Sequence, residues 1–519
     1  TGRPAAGAKV IAFYLPQFHA FAENDAWWGT GFTEWSNLSR GLPRIRGHYQ
    51  PRIPRDLGFY NLTHPDTIRR QVEMAQAAGV SGFCFYFYWF NGKRLLDAPL
   101  DLFVKDESIG FPFCLMWANE NWTRRWDGQE HEVLMAQDYD PQHDAALIAC
   151  LSRYFEHARY IRLDGRPLFI IYRPDQLPDA AARIARWRTL WRTHHHVEPL
   201  LFMAQCWGLD PSDWGLDGAV EFPPHQMSAR CPAVVPRTDE VFDPACTTRF
   251  YSYEDLVAAA FNGDAPTFPL VKTVSPSWDN DARRQGLGAT TFLGSTPALY
   301  ESWLRSAIRF AQRNPVGGEH LVFVNAWNEW GEGAYLEPDI HFGAAYLNAT
   351  ARAIYGISDA KTARKLLLVG HDAFPAGAQA ILLAIARTLS RQFGLKTTLL
   401  LLDGGQLQSD YQAVCRTVIL PGDAEGRDAL LSQLVSEGYD TAITNTIVSG
   451  ELSEHLAAAG VHFISLVHEL PQLVAERRLE PQARLIANHA QTVVVPHNIV
   501  RDGFLRIVPT CAAPLVVLT

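Results

Sequence analysis

Leu321-Val-Phe-Val-Asn-Ala-Trp-Asn-Glu-Trp-Gly-Glu-Gly333 is the stretch whose reading decides the fold. A short apolar, β-rich run passes directly into amides, aromatics and two carboxylates, the pattern of a buried strand that ends in a functional loop. Working back to residue 9, seven earlier runs have the same form: Lys9 to Gln17, Val80 to Trp89, Phe111 to Asn119, Pro167 to Pro174, Pro199 to Trp207, Gly218 to His225 and Phe268 to Asp279. Most are followed by a helical pattern. Clear cases are Pro65 to Ala78, with Pro in the first turn and Gly79 as its stop, the Pro178 to His194 region, and Pro297 to Arg313. Eight such strands predict a (β/α)8 TIM barrel over residues 1–357, in which catalytic groups gather at the C-terminal rim. Residues 226–252, rich in Pro, Thr and Cys and without a clear period, read as a long loop after the sixth strand.

At about residues 356–364 the aromatics thin out and Leu, Ala and Val take over. Strands are predicted at Lys365 to Val369, Thr397 to Leu402, Thr417 to Leu420, Thr441 to Asn445, Phe463 to Val467 and Thr492 to Val495, with helices between them. This order predicts a Rossmann-like, doubly wound α/β domain over residues 364–519. A chain of 519 residues with 47% apolar content can build both cores. Its net charge of −9, with no long run of Lys or Arg, argues against a nucleic-acid partner. The eight cysteines show no CxxC or zinc-ligand spacing and read as buried thiols of a reducing cytosol, so a cytoplasmic location is expected. No run approaches the roughly 20 apolar residues of a membrane span, and Thr1-Gly-Arg-Pro4 lacks a signal-peptide core. The chain starts without Met and stops in the strand-like Pro514-Leu-Val-Val-Leu-Thr519, which reads as a fragment.

The candidate catalytic pair is Glu329 and Glu332, on a turn relaxed by Gly331 and Gly333. Glycosidic chemistry needs one carboxyl that keeps its proton near neutral pH and one that is ionised, a split that an aromatic wall can create. Two acids that only cap a loop are the competing reading. Rings beside amides and charges at the other strand ends suit a sugar, whose C–H faces pack on aromatics while its hydroxyls take polar partners. The substrate-binding candidates are Trp28, Glu34, His48, Tyr49, Tyr86, Tyr88, Trp89, Asn119, Glu120, Trp122, Arg124, Arg125, Trp126, Tyr172, Glu221, His225, Trp278, Asp279 and Asn328. Arg124 and Arg125 could fork a substrate carboxylate or phosphate, or pair with Asp127 or Glu120. Taken singly, His48 and His225 fit a structural histidine as well as a ligand. The absence of an HExxH pattern leaves no metal or cofactor expected for the barrel. In the second domain, Gly377, Asn445, His468 and Glu469 lie at strand ends, where open α/β sheets bind ligands.

Phe13-Tyr-Leu-Pro-Gln-Phe-His19, Gly31-Phe-Thr-Glu-Trp35, Gly47-His-Tyr-Gln-Pro51, Trp117-Ala-Asn-Glu-Asn-Trp-Thr-Arg-Arg-Trp-Asp127, Glu221-Phe-Pro-Pro-His225, Pro276-Ser-Trp-Asp-Asn280 and Ala326-Trp-Asn-Glu-Trp-Gly-Glu-Gly333 together resemble the WbsX-like family. That family is often described as glycosyltransferases of lipopolysaccharide or O-antigen biosynthesis. The resemblance spans residues 9 to about 350. The Asn328-Glu-Trp-Gly-Glu-Gly333 core is also similar to the retaining endo-α-1,2-mannosidase family of glycoside hydrolases. That likeness implies Glu329 as base on the sugar 2-hydroxyl, giving a 1,2-anhydro sugar, and Glu332 as general acid/base. This chain has Gly331 where those mannosidases commonly have His, so mannose specificity is not carried over.

Val369-Gly-His-Asp-Ala-Phe-Pro-Ala-Gly-Ala-Gln379, Asn445-Thr446, Ser449-Gly-Glu-Leu452 and Leu466-Val-His-Glu-Leu-Pro471 resemble the N-terminal half of a family-4-type GT-B glycosyltransferase. A nucleotide sugar is expected only for the complete transferase. The implied partner is an oligo- or polysaccharide. Peripheral contact of the full-length protein with a membrane or a lipid-linked glycan is compatible with that role. Three functions compete for the barrel: a glycoside hydrolase or transglycosylase, a glycosyltransferase using an activated donor, and a non-catalytic glycan-binding module that serves the transferase. No Gly-rich diphosphate cradle is found in the barrel sequence, which weighs against the second.

Overall fold

The computed structural model describes residues 6–124, 129–206, 208–261, 266–357, 365–391 and 395–518, with residues 124, 129–132 and 391 described by their backbone alone. Contacts divide the chain into two compact units, Thr1–Ile357 and Ser358–Thr519.

In the first unit, β1 (Lys9–Tyr14), β2 (Gly82–Phe90), β3 (Phe113–Trp117), β4 (Arg166–Ile171), β5 (Leu200–Gln205), β6 (Gly218–Glu221), β7 (Leu270–Val274) and β8 (Leu321–Val324) are parallel neighbours in chain order. Pairing of β8 with β1 closes the ring, Lys9 lying opposite Leu321 and Ala12 opposite Val324. The expected TIM barrel is therefore present. Parallel strands of a barrel are covered on both faces, so they read as continuous apolar runs rather than alternating ones. All nine residues of β2, Gly-Phe-Cys-Phe-Tyr-Phe-Tyr-Trp-Phe, are buried. Inside the barrel, Phe13 packs on Phe222 and on Phe323 with ring centroids 5.1 Å apart in each pair. The next residue, Tyr14, points outward and donates to Gln71 of the helix Pro65–Ala77 at 2.7 Å.

The helix Pro297–Arg313 shows how the outer layer is built. Thr296 caps it by accepting from Leu299 N at 3.3 Å, and Pro297 occupies the first turn, where its missing N–H costs nothing. Tyr300, Trp303, Leu304, Ala307, Ile308 and Ala311 recur at helical spacing and form its buried face. Residues 226–252 are not one loop. They contain the short strands Ala233–Val234 and Arg249–Ser252, which join Thr290–Leu293 in a three-stranded sheet. Strands this short leave too little periodicity to be read, and within Arg249–Ser252 only Phe250 is fully buried.

The second unit holds seven parallel strands: β9 (Lys365–Gly370), β10 (Lys396–Leu401), β11 (Arg416–Ile419), β12 (Tyr439–Asn445), β13 (His462–Leu466), β14 (Thr492–Val495) and β15 (Leu515–Val517). Their order, β11-β10-β9-β12-β13-β14-β15, is doubly wound and reverses between β9 and β12. Open sheets bind ligands at such a reversal.

Candidate active site

The turn after β8 carries the two acids. Asn328 fixes its start: the side chain accepts from Leu15 N at 2.7 Å and donates to Leu15 O at 2.9 Å, tying the turn to the end of β1. Its end is held by Gly333 at φ +62°, where an added Cβ would lie 2.9 Å from Arg52 Nε. Between them Glu329 and Glu332 extend to one guanidinium. Arg283 donates through Nη2 to Glu329 at 2.8 Å, through Nη1 to Glu332 at 2.6 Å, and through Nε to Glu34 at 2.6 Å. The Glu332 side chain is 22% exposed and the Glu329 side chain 4%.

Burial pushes both Glu329 and Glu332 above the usual carboxylate range, and Arg283 pulls both back down. Each acid also opposes ionisation of its neighbours: Glu332 and Glu34 raise Glu329, and Glu120 raises Glu332. A carboxyl raised in this way holds its proton to higher pH than a free one, which favours a general acid. Two acids bonded to adjacent nitrogens of one guanidinium can both reach a single sugar ring.

A cleft of about 320 Å³ opens over Glu332 and Arg283. Of the residues expected from sequence, Trp28, Tyr88, Glu120, Trp122, Tyr172, His225, Trp278 and Glu332 line it. The His225 and Trp278 rings lie 5.4 Å apart, and Glu120 is held by Arg173 at 3.0 Å. Tyr86 is buried on β2, close enough to Glu329 and Glu332 for their charges to raise its hydroxyl further above its ordinary range after burial has done so. Arg125 and Trp126 lie outside the described residues, as does the side chain of Arg124.

Other expected ligands are committed elsewhere. Asp279 is fully buried and receives His48 Nε2 at 2.9 Å and Gln50 Nε2 at 2.7 Å. Burial alone would raise Asp279, but His48 and Arg52 outweigh it and hold the carboxyl at about 2. His48 and Asp279 therefore brace the wall from behind. Tyr49 donates to Asp339 at 3.2 Å and packs on His341. Asn119 bonds both ways with the backbone of Arg173, at 2.7 and 2.8 Å. Trp89 is buried, and its carbonyl accepts from Trp117 Nε1 and Gln137 Nε2. Glu221 pairs with Lys272 at 2.9 Å, and that lysine lies over the Phe310 ring of the outer helix, so Glu221 faces the helical layer. Asn328 is spent on Leu15, and Glu34 lies behind Arg283 rather than in the cleft.

Sequence reading missed Arg283, together with Gln17, Asn24, Trp27 and Asn280 of the cleft lining. Buried acids require a cation, but Arg283 is set off from Trp278-Asp279-Asn280 by Asp281 and Ala282 and carries no local mark of that role. Glycine at residue 331 has a steric reason. A Cβ at residue 331 would stand 1.9 Å from Glu34 Oε1 and 2.8 Å from Arg283 Nε, so the Glu34–Arg283 pair fills that space.

In the second unit the four candidates meet at the reversal between β9 and β12. Gly377 begins the helix Gly377–Arg391, Asn445 donates to Ala378 O at 3.0 Å and pairs with His468 Nε2 at 2.9 Å, and Glu469 accepts from Ile447 N at 2.9 Å. His371 and Thr446, bonded at 2.9 Å, join them, and Thr446 has φ +77°, a strained value for a β-branched residue. Among the described residues no group of three or more His, Cys, Asp or Glu could hold a metal ion. Nor is any helix long and apolar enough to cross a membrane.

A (β/α)8 barrel with paired acids in an aromatic cleft defines a class of candidate carbohydrate-active proteins. Within that class, residues 10–350 match the family model described as glycosyltransferase WbsX, and the chain belongs to this family. It is similar to the uncharacterized protein WxcX of Xanthomonas campestris pv. campestris strain B100, with 44% identity over 356 residues, covering 68% of this chain and 51% of the relative. The protein of the same name from strain ATCC 33913 is also 44% identical. The chain thus spans about half the length of the curated relatives it matches. Among solved structures it is similar to the GH99 endo-alpha-mannosidase from Bacteroides thetaiotaomicron, at 17% identity and TM-score 0.43, covering 66% of this chain and 96% of that one. Anabaena Alr3699/HepE in complex with UDP-glucose matches at 18% identity and TM-score 0.24, covering 28% of this chain and 40% of that one.

Proposed function

We propose that the barrel is a carbohydrate-active enzyme that cleaves or transfers glycosidic bonds of a bacterial surface polysaccharide, with Glu332 as acid/base and Glu329 as base on the sugar. The observation that carries this reading is the joint hold of Arg283 on Glu329 and Glu332, with Arg283 and Glu332 lining an aromatic cleft. In the retaining route, Glu329 takes the proton of the 2-hydroxyl and O2 attacks C1. As the C1–O bond breaks, Glu332 gives its proton to the leaving oxygen. The 1,2-anhydro sugar is then opened at C1 by water, or by an acceptor hydroxyl, which Glu332 deprotonates while Glu329 returns its proton to O2. Two acids on one turn suit this substrate-assisted path, since the usual retaining pair stands on either side of the bond, about 5 Å apart. The second unit would be the acceptor-side half of a transferase that builds the same glycan.

Glu329→Gln and Glu332→Gln test the assignment. Each is expected to lower turnover of the native polysaccharide by at least about a hundredfold, the scale of lost acid–base catalysis. Undiminished turnover in both would reject it. The family's description as a glycosyltransferase favours a second reading, transfer from a nucleotide sugar by the barrel itself. Calorimetric binding of a nucleotide sugar that competes with glycan at the cleft would establish that alternative.

A further inference from the structure

Arg283 meets more negative charge than it carries. Each of its three nitrogens holds a different acid, Glu34 at 2.6 Å, Glu329 at 2.8 Å and Glu332 at 2.6 Å, and the Glu34 and Glu329 side chains are almost wholly removed from water. Ionising all three would set three negative charges against the single positive charge of Arg283, which favours retention of a proton in the cluster near neutral pH. The position of that proton matters for the reaction proposed above.

We propose that Glu34 is a positioning residue: by occupying the Nε edge of Arg283 it neutralises the guanidinium and leaves the Glu329–Glu332 pair one proton to share. The inference rests on the glycosidic reading for its purpose. The charges of Arg283 and Glu34 cancel. The remaining pair then settles with one charge and one proton, which is one base and one acid. Without the Glu34 charge, Arg283 would compensate a second carboxylate and the acid would be lost at neutral pH.

The local structure is built around this contact. Glu34 opens the short helix Glu34–Leu38 and points at the catalytic turn, where Gly331 has no side chain to obstruct it. Its side chain is wholly removed from water on the Nε edge of the guanidinium, so it acts through Arg283 rather than on a sugar. Burial raises Glu34, Glu329 and Glu332, Arg283 lowers each, and the charge of Glu34 raises Glu329 again. The other groups that face the pair are Arg284 and Glu120 beside Glu332, the hydroxyls of Tyr86, Tyr88 and Tyr172, and His225 on the cleft wall.

The test needs no substrate. In the full chain, the carboxylic-acid C=O stretch is followed by infrared difference spectroscopy across pH and assigned by subtracting the Glu329→Gln and Glu332→Gln spectra. Glu34→Gln is expected to move the midpoint of the pair down by about one to three pH units. Glu34→Asp, which keeps the charge, should recover much of that shift, and Arg283→Met should move the midpoint up. Circular dichroism establishes that each variant is folded, and if Arg283→Met is not, the Glu34 variants decide alone. An unchanged or raised midpoint in folded Glu34→Gln overturns the inference. On native polysaccharide, Glu34→Gln should shift the rate optimum toward acid, through kcat more than KM. A shifted midpoint in a protein that turns over no glycan would refute the glycosidic reading alone. Turnover by wild type with an unmoved midpoint in Glu34→Gln would refute this inference alone.

Discussion

Glu329 and Glu332 differ in exposure before they differ in chemistry. Glu332 lines the cleft, whereas Glu329 is not part of its lining and lies buried beside Tyr86 and Tyr88, joined to Glu332 through Arg283. Gly331 keeps the two acids and Glu34 on one guanidinium. Gly331→Ala would force its Cβ against Glu34 and Arg283, and is expected to cost about 1–3 kcal/mol of stability in denaturant titration, with activity falling further than stability. A variant as stable and as active as wild type would show that this packing is dispensable. The acids themselves were legible in the sequence because a Glu-x-x-Glu turn ends an apolar run. Arg283 was not, because no local pattern distinguishes a cation that serves acids 46 and 249 residues away from one that faces water.

Elements set that geometry by joining distant segments. Asn328 spans from the turn after β8 to β1, and Asn328→Ala would strand the N–H and C=O of Leu15 in a buried place. A loss of about 1–3 kcal/mol in denaturant titration is expected, against a near-zero change if water replaces the amide. Beneath the turn, Glu337 accepts from Trp330 at 2.6 Å, Gln71 at 2.7 Å and Tyr60 at 2.9 Å. Burial outweighs those donors and pushes its carboxyl from 4.5 up to about 7. A group raised in the folded state favours the fold while protonated. Its contribution is full below the unfolded value of about 4.5 and is lost as pH rises toward about 7, a span worth about 3 kcal/mol by linkage. Glu337→Gln should flatten the pH dependence of stability across that window, and an unchanged slope would assign the dependence to other groups. The eight strands were readable because barrel strands are buried on both faces. The ligand set was less so: His48, Asn119 and Glu221 have the composition of sugar ligands, yet His48 is bonded to Asp279, Asn119 to Arg173, and Glu221 to Lys272.

The whole molecule carries separate cores in its two units, one around the barrel aromatics and others around the Leu- and Val-rich strands of the second sheet. Scanning calorimetry of the full chain is expected to resolve more than one unfolding transition, and a single two-state transition would show that the units fold as one. The change of composition near residues 356–364 follows from what each core needs, since a barrel rim demands aromatic rings and a doubly wound core does not. The central claim, that the barrel rearranges glycosidic bonds through Glu329 and Glu332, is tested most directly with the source organism's own surface polysaccharide. Products are followed by mass spectrometry and by anomeric NMR during the first turnovers. Shortened or transferred glycans whose first-formed anomer matches the substrate, absent with Glu332→Gln, are predicted. An intact polysaccharide, or products of inverted configuration, would contradict the account.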